Sequence, residues 1–289
     1  MVPTLVFPFL LHAGATLSAS RFSVHISTVI GIVALAALYY WRARVQQRAT
    51  GRSIERSKPT LLVVALLILF LSLNGWLHDL SDSYLFSAHM VQHLLLTLVV
   101  APLLIMATPA WMLRPALASP TVSAIARWIT NPRHAFALFN VVLAGWHLPS
   151  LYNLALAVHP VHIAQHLMFL VAAVLMWWPI LSPLPELPRL AYPLQMLYLF
   201  LMSIPMSIVA VYIAYADTVL FPAYAAAPRV WGISPLQDQQ LGGLIMWIPG
   251  GLFFFAVISV IFFRWQQRDG DETTAGAQVG AAEHLPVVR

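Results

Sequence analysis

The sequence predicts an all-α protein: a polytopic membrane bundle of seven transmembrane helices built partly from duplicated helical hairpins. Its N-terminus is expected outside and its C-terminus in the cytoplasm. Three observations carry this reading. Hydrophobic residues are 60% of the 289 and charged residues 9%, against roughly 45–50% and 25% in soluble domains. Apolar runs of about 20 residues, enough to cross a bilayer, recur along the chain. The pattern His-x-x-Gln-His also occurs twice, each time opening such a run.

The spans are expected at 23–41, 60–77, 84–107, 133–148, 159–181, 192–215 and 238–264. The fourth is short and framed by Pro132 and Pro149. Residues 1–22 form an outer N-terminal segment, 23–265 the membrane domain and 266–289 a cytoplasmic tail expected to be disordered. The opening stretch is apolar but holds Pro3 and Pro8 and has no basic start. It is therefore a poor signal peptide, better suited to an interfacial segment or a retained tail.

Orientation follows from the basic residues. Arg42, Arg44, Arg48, Arg52, Arg56 and Lys58 fall in the first loop; Arg114, Arg127 and Arg133 in the third; Arg189 in the fifth. Arg264, Arg268 and Arg289 follow the last span, leaving only Arg21 and Arg229 on the opposite side. The net charge of +5 therefore serves topology, and no nucleic-acid partner is expected. Membrane lipid surrounds the bundle, which places the protein in the cell (plasma or inner) membrane.

With that topology, nine of the eleven histidines lie on the outer side, and only His134 and His284 lie inside. Asp79, Asp82, Asp217 and Asp238 share the outer face. The two motifs are His89-Met90-Val91-Gln92-His93 and His162-Ile163-Ala164-Gln165-His166. Residues four apart share a helix face, so each motif presents two imidazoles side by side. Imidazole in a membrane span needs a partner, water or a metal.

The duplication extends upstream. Gly75-Trp76-Leu77-His78 and Gly145-Trp146-His147-Leu148 read as matching helix ends, 70 residues apart, and the His pairs are 73 apart. Two parallel hairpins packed together would gather His89, His93, His162 and His166 at their outer ends. Four imidazoles suit zinc or copper, and nearby Met would favour Cu(I). Further candidate ligands or supporting groups are His78, His147, His159, Met90, Gln92, Gln165, Met202, Met206 and Asp238. The Gln of each motif could orient an imidazole through a hydrogen bond. Asp238-Gln239-Gln240, opening the last span, is a fainter third echo. One His from each helix could also ligate haem.

Several chemistries are absent. No Cys is present, so disulfides, thiolate metal sites and a Cys nucleophile are excluded. There is no phosphate loop, nucleophile elbow or zincin motif, and no enzymatic activity is expected.

Taken together, several motifs resemble the multi-pass CtaG family of cytochrome c oxidase assembly proteins, the type associated with caa-type oxidases. They are Tyr84-Leu85-Phe86-Ser87-Ala88-His89-Met90-Val91-Gln92-His93, Trp146-His147-Leu148-Pro149, Leu151-Tyr152, His162-Ile163-Ala164-Gln165-His166, Trp177-Trp178-Pro179, and Asp238-Gln239-Gln240 to Met246-Trp247. A single-span copper chaperone shares the CtaG name but relies on a Cys pair, which this chain lacks. The resemblance implies maturation of the respiratory oxidase, with its subunits as partners and copper delivery as the means.

Three other readings compete. A copper transporter would continue its ligands through the midplane, whereas the inner halves of the third and fifth spans are mostly Leu, Val and Ala; Met106, Met176 and Met196 are the soft residues such a path would use. A haem-binding electron-transfer protein would show a haem absorption band. A membrane enzyme with a zinc-activated water would need a general base beside the histidines. On the expected topology, a reporter fused after Arg289 behaves as cytoplasmic and one inserted within 150–158 as external. The reverse pattern would overturn the orientation and the grouping of the histidines.

Overall fold

The computed structural model describes residues 22–51 and 53–283. The expected outer segment at 1–22 lies, apart from Phe22, outside the described residues. Among the described residues the chain is helical, with no strand. It runs through α1 (Ile26–Thr50), α2 (Ser57–Ser72), α3 (Gly75–Ser83), α4 (Phe86–Ala107) and α5 (Pro120–Ile129). It continues as α6 (Pro132–Trp146), α7 (Pro149–Ala157), α8 (His159–Leu181), α9 (Tyr192–Ala214), α10 (Pro222–Ala226) and α11 (Pro235–Glu283).

Among these, α1, α4, α8, α9 and α11 are long and apolar enough to cross a membrane. The pairs α2–α3 and α6–α7 are bent by 42° and 72°, giving seven candidate spans when each pair counts as one. Large apolar side chains face outward; Val141, Ile208 and Leu252 are 71%, 64% and 63% exposed. An apolar exterior of this kind suits lipid rather than water. The protein is therefore a multi-pass helical membrane protein.

The bends have local causes. Gly75 adopts a left-handed φ of 65°, and the Asn74 amide donates to the Phe70 carbonyl at 2.9 Å. Together they close α2 at Ser72 and restart the chain as α3. Pro149, with no N–H to continue a helix, opens α7 after α6 ends at Trp146. The expected equivalence of the two Gly-Trp segments is therefore corrected. Gly75-Trp76 opens α3, whereas Gly145-Trp146 closes α6. The structural repeat is α2–α3–α4 against α6–α7–α8, with α7 starting 74 residues after α3 and α8 starting 73 after α4.

α4 and α8 pack side by side in parallel, since residue numbers rise together along the contact. His89 meets His162, His93 meets His166, and the Trp177 indole donates to the Thr97 carbonyl at 2.8 Å. That carbonyl belongs to a π-helical stretch within α4, Leu95–Val100. Side chains from α4, α6, α8, α9 and α11 fill the main core, among them Phe86, Phe139, Phe169, Leu199 and Phe254.

α4 is anchored at both ends. Asp238 of α11, fully buried, accepts from the Phe86 N–H at 2.7 Å and from both the N–H and hydroxyl of Ser87. It supplies a carboxylate cap, from another helix, to the positive end of the α4 dipole. At the other end the Lys58 ammonium donates to the Met106 carbonyl at 2.8 Å. Tyr39 donates to the Ala107 carbonyl at 2.9 Å.

α9 and α11 approach through small residues, as membrane helices do. A Cβ on Gly243 would lie 2.6 Å from the Ala214 nitrogen and 2.9 Å from the Ala210 oxygen, both backbone atoms. Gly243→Ala should push the two helices apart and cost about 1–3 kcal/mol. Thermal unfolding in detergent checks this, and an unchanged midpoint would show that the approach is not tight.

Candidate metal centre

His89 and His93 stand one turn apart on α4, facing His162 and His166 on α8. All four are buried. One nitrogen each from His89, His93 and His166 fall within 4.8 Å of one another, and so do ligand atoms of Asp82, His89 and His162. The Nε2 atoms of His89 and His93 are 2.8 Å apart. A tetrahedral ion with bonds of roughly 2.0–2.1 Å spaces its nitrogens about 3.3 Å apart, so small side-chain rotations, with the proton of the His89–His93 contact moved to His93 Nδ1, would open such a site.

Hydrogen-bond partners assign the ring protons. Tyr224, in α10, is the first reference point. Burial pushes its phenol well above the ordinary value, so it keeps its proton, which it donates to the Ser81 carbonyl at 2.6 Å. Its oxygen then accepts from His89 Nδ1 and from the Tyr152 hydroxyl, each at 3.1 Å. His89 therefore carries its proton on Nδ1 and turns a lone pair on Nε2 toward His93. Histidine ligands commonly have this form, one nitrogen held by a second group and the other free for the metal.

The same pattern repeats around the cluster. The Gln92 amide donates to the Ser72 carbonyl at 2.6 Å and to His78 Nδ1 at 3.2 Å. That leaves His78 Nε2–H to face Asp82 Oδ2 at 3.3 Å. Asp82 Oδ2 also lies 3.5 Å from His162 Nδ1, which frees His162 Nε2. His147 donates through Nδ1 to the Leu143 carbonyl at 2.7 Å. Nε2 of His25, His147, His162 and His166 and Nδ1 of His93 are buried without a hydrogen-bond partner. More than about 90% of buried polar groups are satisfied, so this concentration of unpartnered nitrogens fits a ligand-binding role.

The rings form a continuous series from the surface inward. His159 is exposed, and its ring lies 6.5 Å from that of half-buried His25. His25 contacts His78 at 4.1 Å, and His78 lies 6.2 Å from His162. The series continues to His89 at 5.4 Å, His93 at 4.3 Å and His147 at 6.1 Å.

Other candidates from the sequence have varied placements. Gln92 orients His78 rather than a histidine of its own motif, while both amide atoms of Gln165 are buried without a partner. Met90 and Met206 line a small cavity beside His93, whereas Met202 takes a hydrogen bond from Asn140 at 3.3 Å. Both oxygens of Asp238 are engaged at the start of α4, so it positions the helix instead of facing the rings. Gln239 accepts from the Leu220 N–H at 2.7 Å, holding the segment after α9.

Sequence reasoning missed Asp82, His25, Tyr152, Ser81 and Tyr224 as site residues. Asp82 was within reach, since it follows His78 at helical spacing of four. Tyr224 gives no local signal, as it meets His89 from 135 residues away.

The sequence profile of the family described as cytochrome c oxidase caa3 assembly factor (Caa3_CtaG) matches residues 37–268. The chain belongs to that family. The matched stretch contains both candidate ligand groups and Tyr224 but stops short of His25. Similar proteins include Uncharacterized protein Mb0105 of Mycobacterium bovis and Uncharacterized protein MT0111 of Mycobacterium tuberculosis. Each is 26% identical over 203 residues, covering 65% of this chain and 31% of the relative. The chain thus spans about a third of the length of those curated relatives. No solved structure matches.

Tyr224→Phe should unmake the bonds to Ser81, His89 and Tyr152 together. Leaving buried groups unsatisfied costs about 1–3 kcal/mol, so the unfolding midpoint in detergent should fall clearly. A variant as stable as the parent would show that the phenol is not the hub of this network.

Proposed function

We propose that this protein is an assembly factor for cytochrome c oxidase that holds copper among its buried histidines and passes it to the oxidase. The observation that carries the copper reading is the set of facing His pairs with free nitrogens. Family membership supports the oxidase as recipient. In this reading copper is cargo. His89, His93 and His166 would hold it as neutral imidazoles, with Tyr224 fixing the His89 ring. Asp82, His89 and His162 form an adjoining group whose carboxylate would offset the charge of a divalent ion.

We further propose seven spans, the two bent pairs included, with the N-terminus and the histidine end on the outer face. The distribution of charge supports this. Arg42, Lys58, Arg114 and Arg189 gather at the opposite end of the bundle, where Arg114 pairs with Glu186 at 2.7 Å. A backbone N–H and that guanidinium hold the Glu186 carboxyl below its usual range.

Delivery is favoured over transport because both candidate ligand groups among the described residues share His89, at one end of α4. The cavity beside the rings, about 20 Å³, supports a bare ion over a haem.

His93→Ala or His166→Ala should remove a ligand while leaving the apolar helices able to insert. The expected phenotype is low cytochrome c oxidase activity at normal abundance of this protein, partly restored by added copper. Gln92 and Gln165 variants should be milder, since groups supporting a ligand typically tune affinity by about 10–100-fold. Full activity of the His variants under copper limitation would refute the copper reading. Loss that copper never restores would leave an assembly role exerted through protein contacts.

A further inference from the structure

A cavity of about 20 Å³ lies beside His93, on the side of α4 that faces α6, α9 and α11. That volume admits one small guest, a water or an ion. Its walls include His93, His147, Met90, Met206 and Met246. Two imidazole nitrogens nearby have no partner, Nε2 of His147 and Nδ1 of His93. The two residues are only 4% and 5% exposed. His93 turns its Nε2 to His89, so its Nδ1 lies on the far side of the ring from that contact. The His147 ring is already oriented by its bond to Leu143.

The remaining lining is apolar apart from Thr97, whose hydroxyl donates to the His93 carbonyl at 2.7 Å. No carboxylate lines the cavity. A divalent ion there would keep its full charge in a low-dielectric interior, which is costly. A monovalent soft ion carries half that charge and prefers thioether and imidazole ligands. The Met206 chain is also held in place. A Cβ on Gly250 of α11 would come within 2.9 Å of its methyl and 3.4 Å of its sulfur.

We propose that this cavity is a distinct Cu(I) site, formed by His147 Nε2 and the thioethers of Met206 and Met246, with His93 shared with the neighbouring triad. The proposal rests on the copper reading above and adds an oxidation state and a sulfur-bearing second station. A neutral imidazole has a single nitrogen lone pair, so His93 serves one station at a time. The two stations differ in kind. The outer one, with Asp82 nearby, suits nitrogen-and-oxygen chemistry; the inner one is uncharged and soft.

The test uses the full chain in detergent, loaded anaerobically with Cu(I) from a chromogenic chelator and separately with Zn(II). X-ray absorption should show sulfur alongside nitrogen around Cu(I). Met→Leu keeps the volume nearly constant, so M206L/M246L should lose the sulfur shell and yield Cu(I) to the chelator more readily. Its Zn(II) uptake should be unchanged, and His166→Ala should lose Zn(II) while keeping the sulfur shell. An all-nitrogen Cu(I) environment in the parent protein would overturn the proposal, whether or not the double variant folds. So would a sulfur shell that persists in M206L/M246L. In the first case, copper lost on His166→Ala would leave the broader copper reading standing. A parent protein that takes up no copper would overturn both.

Discussion

α4 carries a charge from another helix at each end, and the position of the histidines depends on that arrangement. The Asp238 carboxylate, wholly buried, sits on the Phe86 and Ser87 N–H groups; the Lys58 ammonium sits on the Met106 carbonyl. Each sign matches the end of the helix dipole that it meets. Since α11 and α2 supply these groups, the helix bearing His89 and His93 is located by elements on two sides. A helix located only by apolar packing could slide or rotate, and a rotation of one residue, about 100° from a 3.6-residue turn, would carry both rings away from α8.

Around this fixed helix the polar groups follow a division of labour. Tyr224, Asp82 and the Leu143 carbonyl take the Nδ1 side of His89, His162 and His147; the Nε2 side is left without a partner on His162 and His147 and is turned to His93 on His89. A buried network is stable when its members are satisfied and costly when they are not. Here His93, His147 and His162 are each engaged by the protein at one nitrogen and left without a partner at the other. The two copies of the hairpin do so unequally. Gln92 bonds Ser72 and His78, while Gln165, at the same motif position, has neither amide atom engaged. The α4 half is therefore tied into its surroundings more firmly than the α8 half.

The membrane class, the long spans and the i,i+4 His pairs were legible in the sequence because each is written in local periodicity, whereas the meeting of the two pairs was expected only from the repeat. An i,i+4 pair shares a face wherever the helix sits, so His89 with His93 and His162 with His166 needed no tertiary information. The Gly-Trp segments misled for a related reason. Matching letters do not report the left-handed φ at Gly75, which moves one copy past a bend and leaves the other before it. The contacts of Tyr224 and Asp238 with α4, across 135 and 152 residues, have no local signature at all. Asp238 read as a potential ligand because a carboxylate at the start of a span can serve either a metal or a helix end, and only the packing distinguishes them.

The two His pairs meet across a duplication that lies within one polypeptide. A single hairpin would bring only two imidazoles, and completing the cluster would require an encounter between two molecules diluted in the bilayer. Joining the copies in one chain makes that encounter intramolecular, with an effective concentration set by the connecting segment rather than by expression level. Formation of the cluster then becomes independent of how much protein the membrane holds. Covalent joining also releases the halves from symmetry: Tyr224 needs to serve only His89, and Asp238 needs to cap only α4. A dimer of identical hairpins would have to duplicate both.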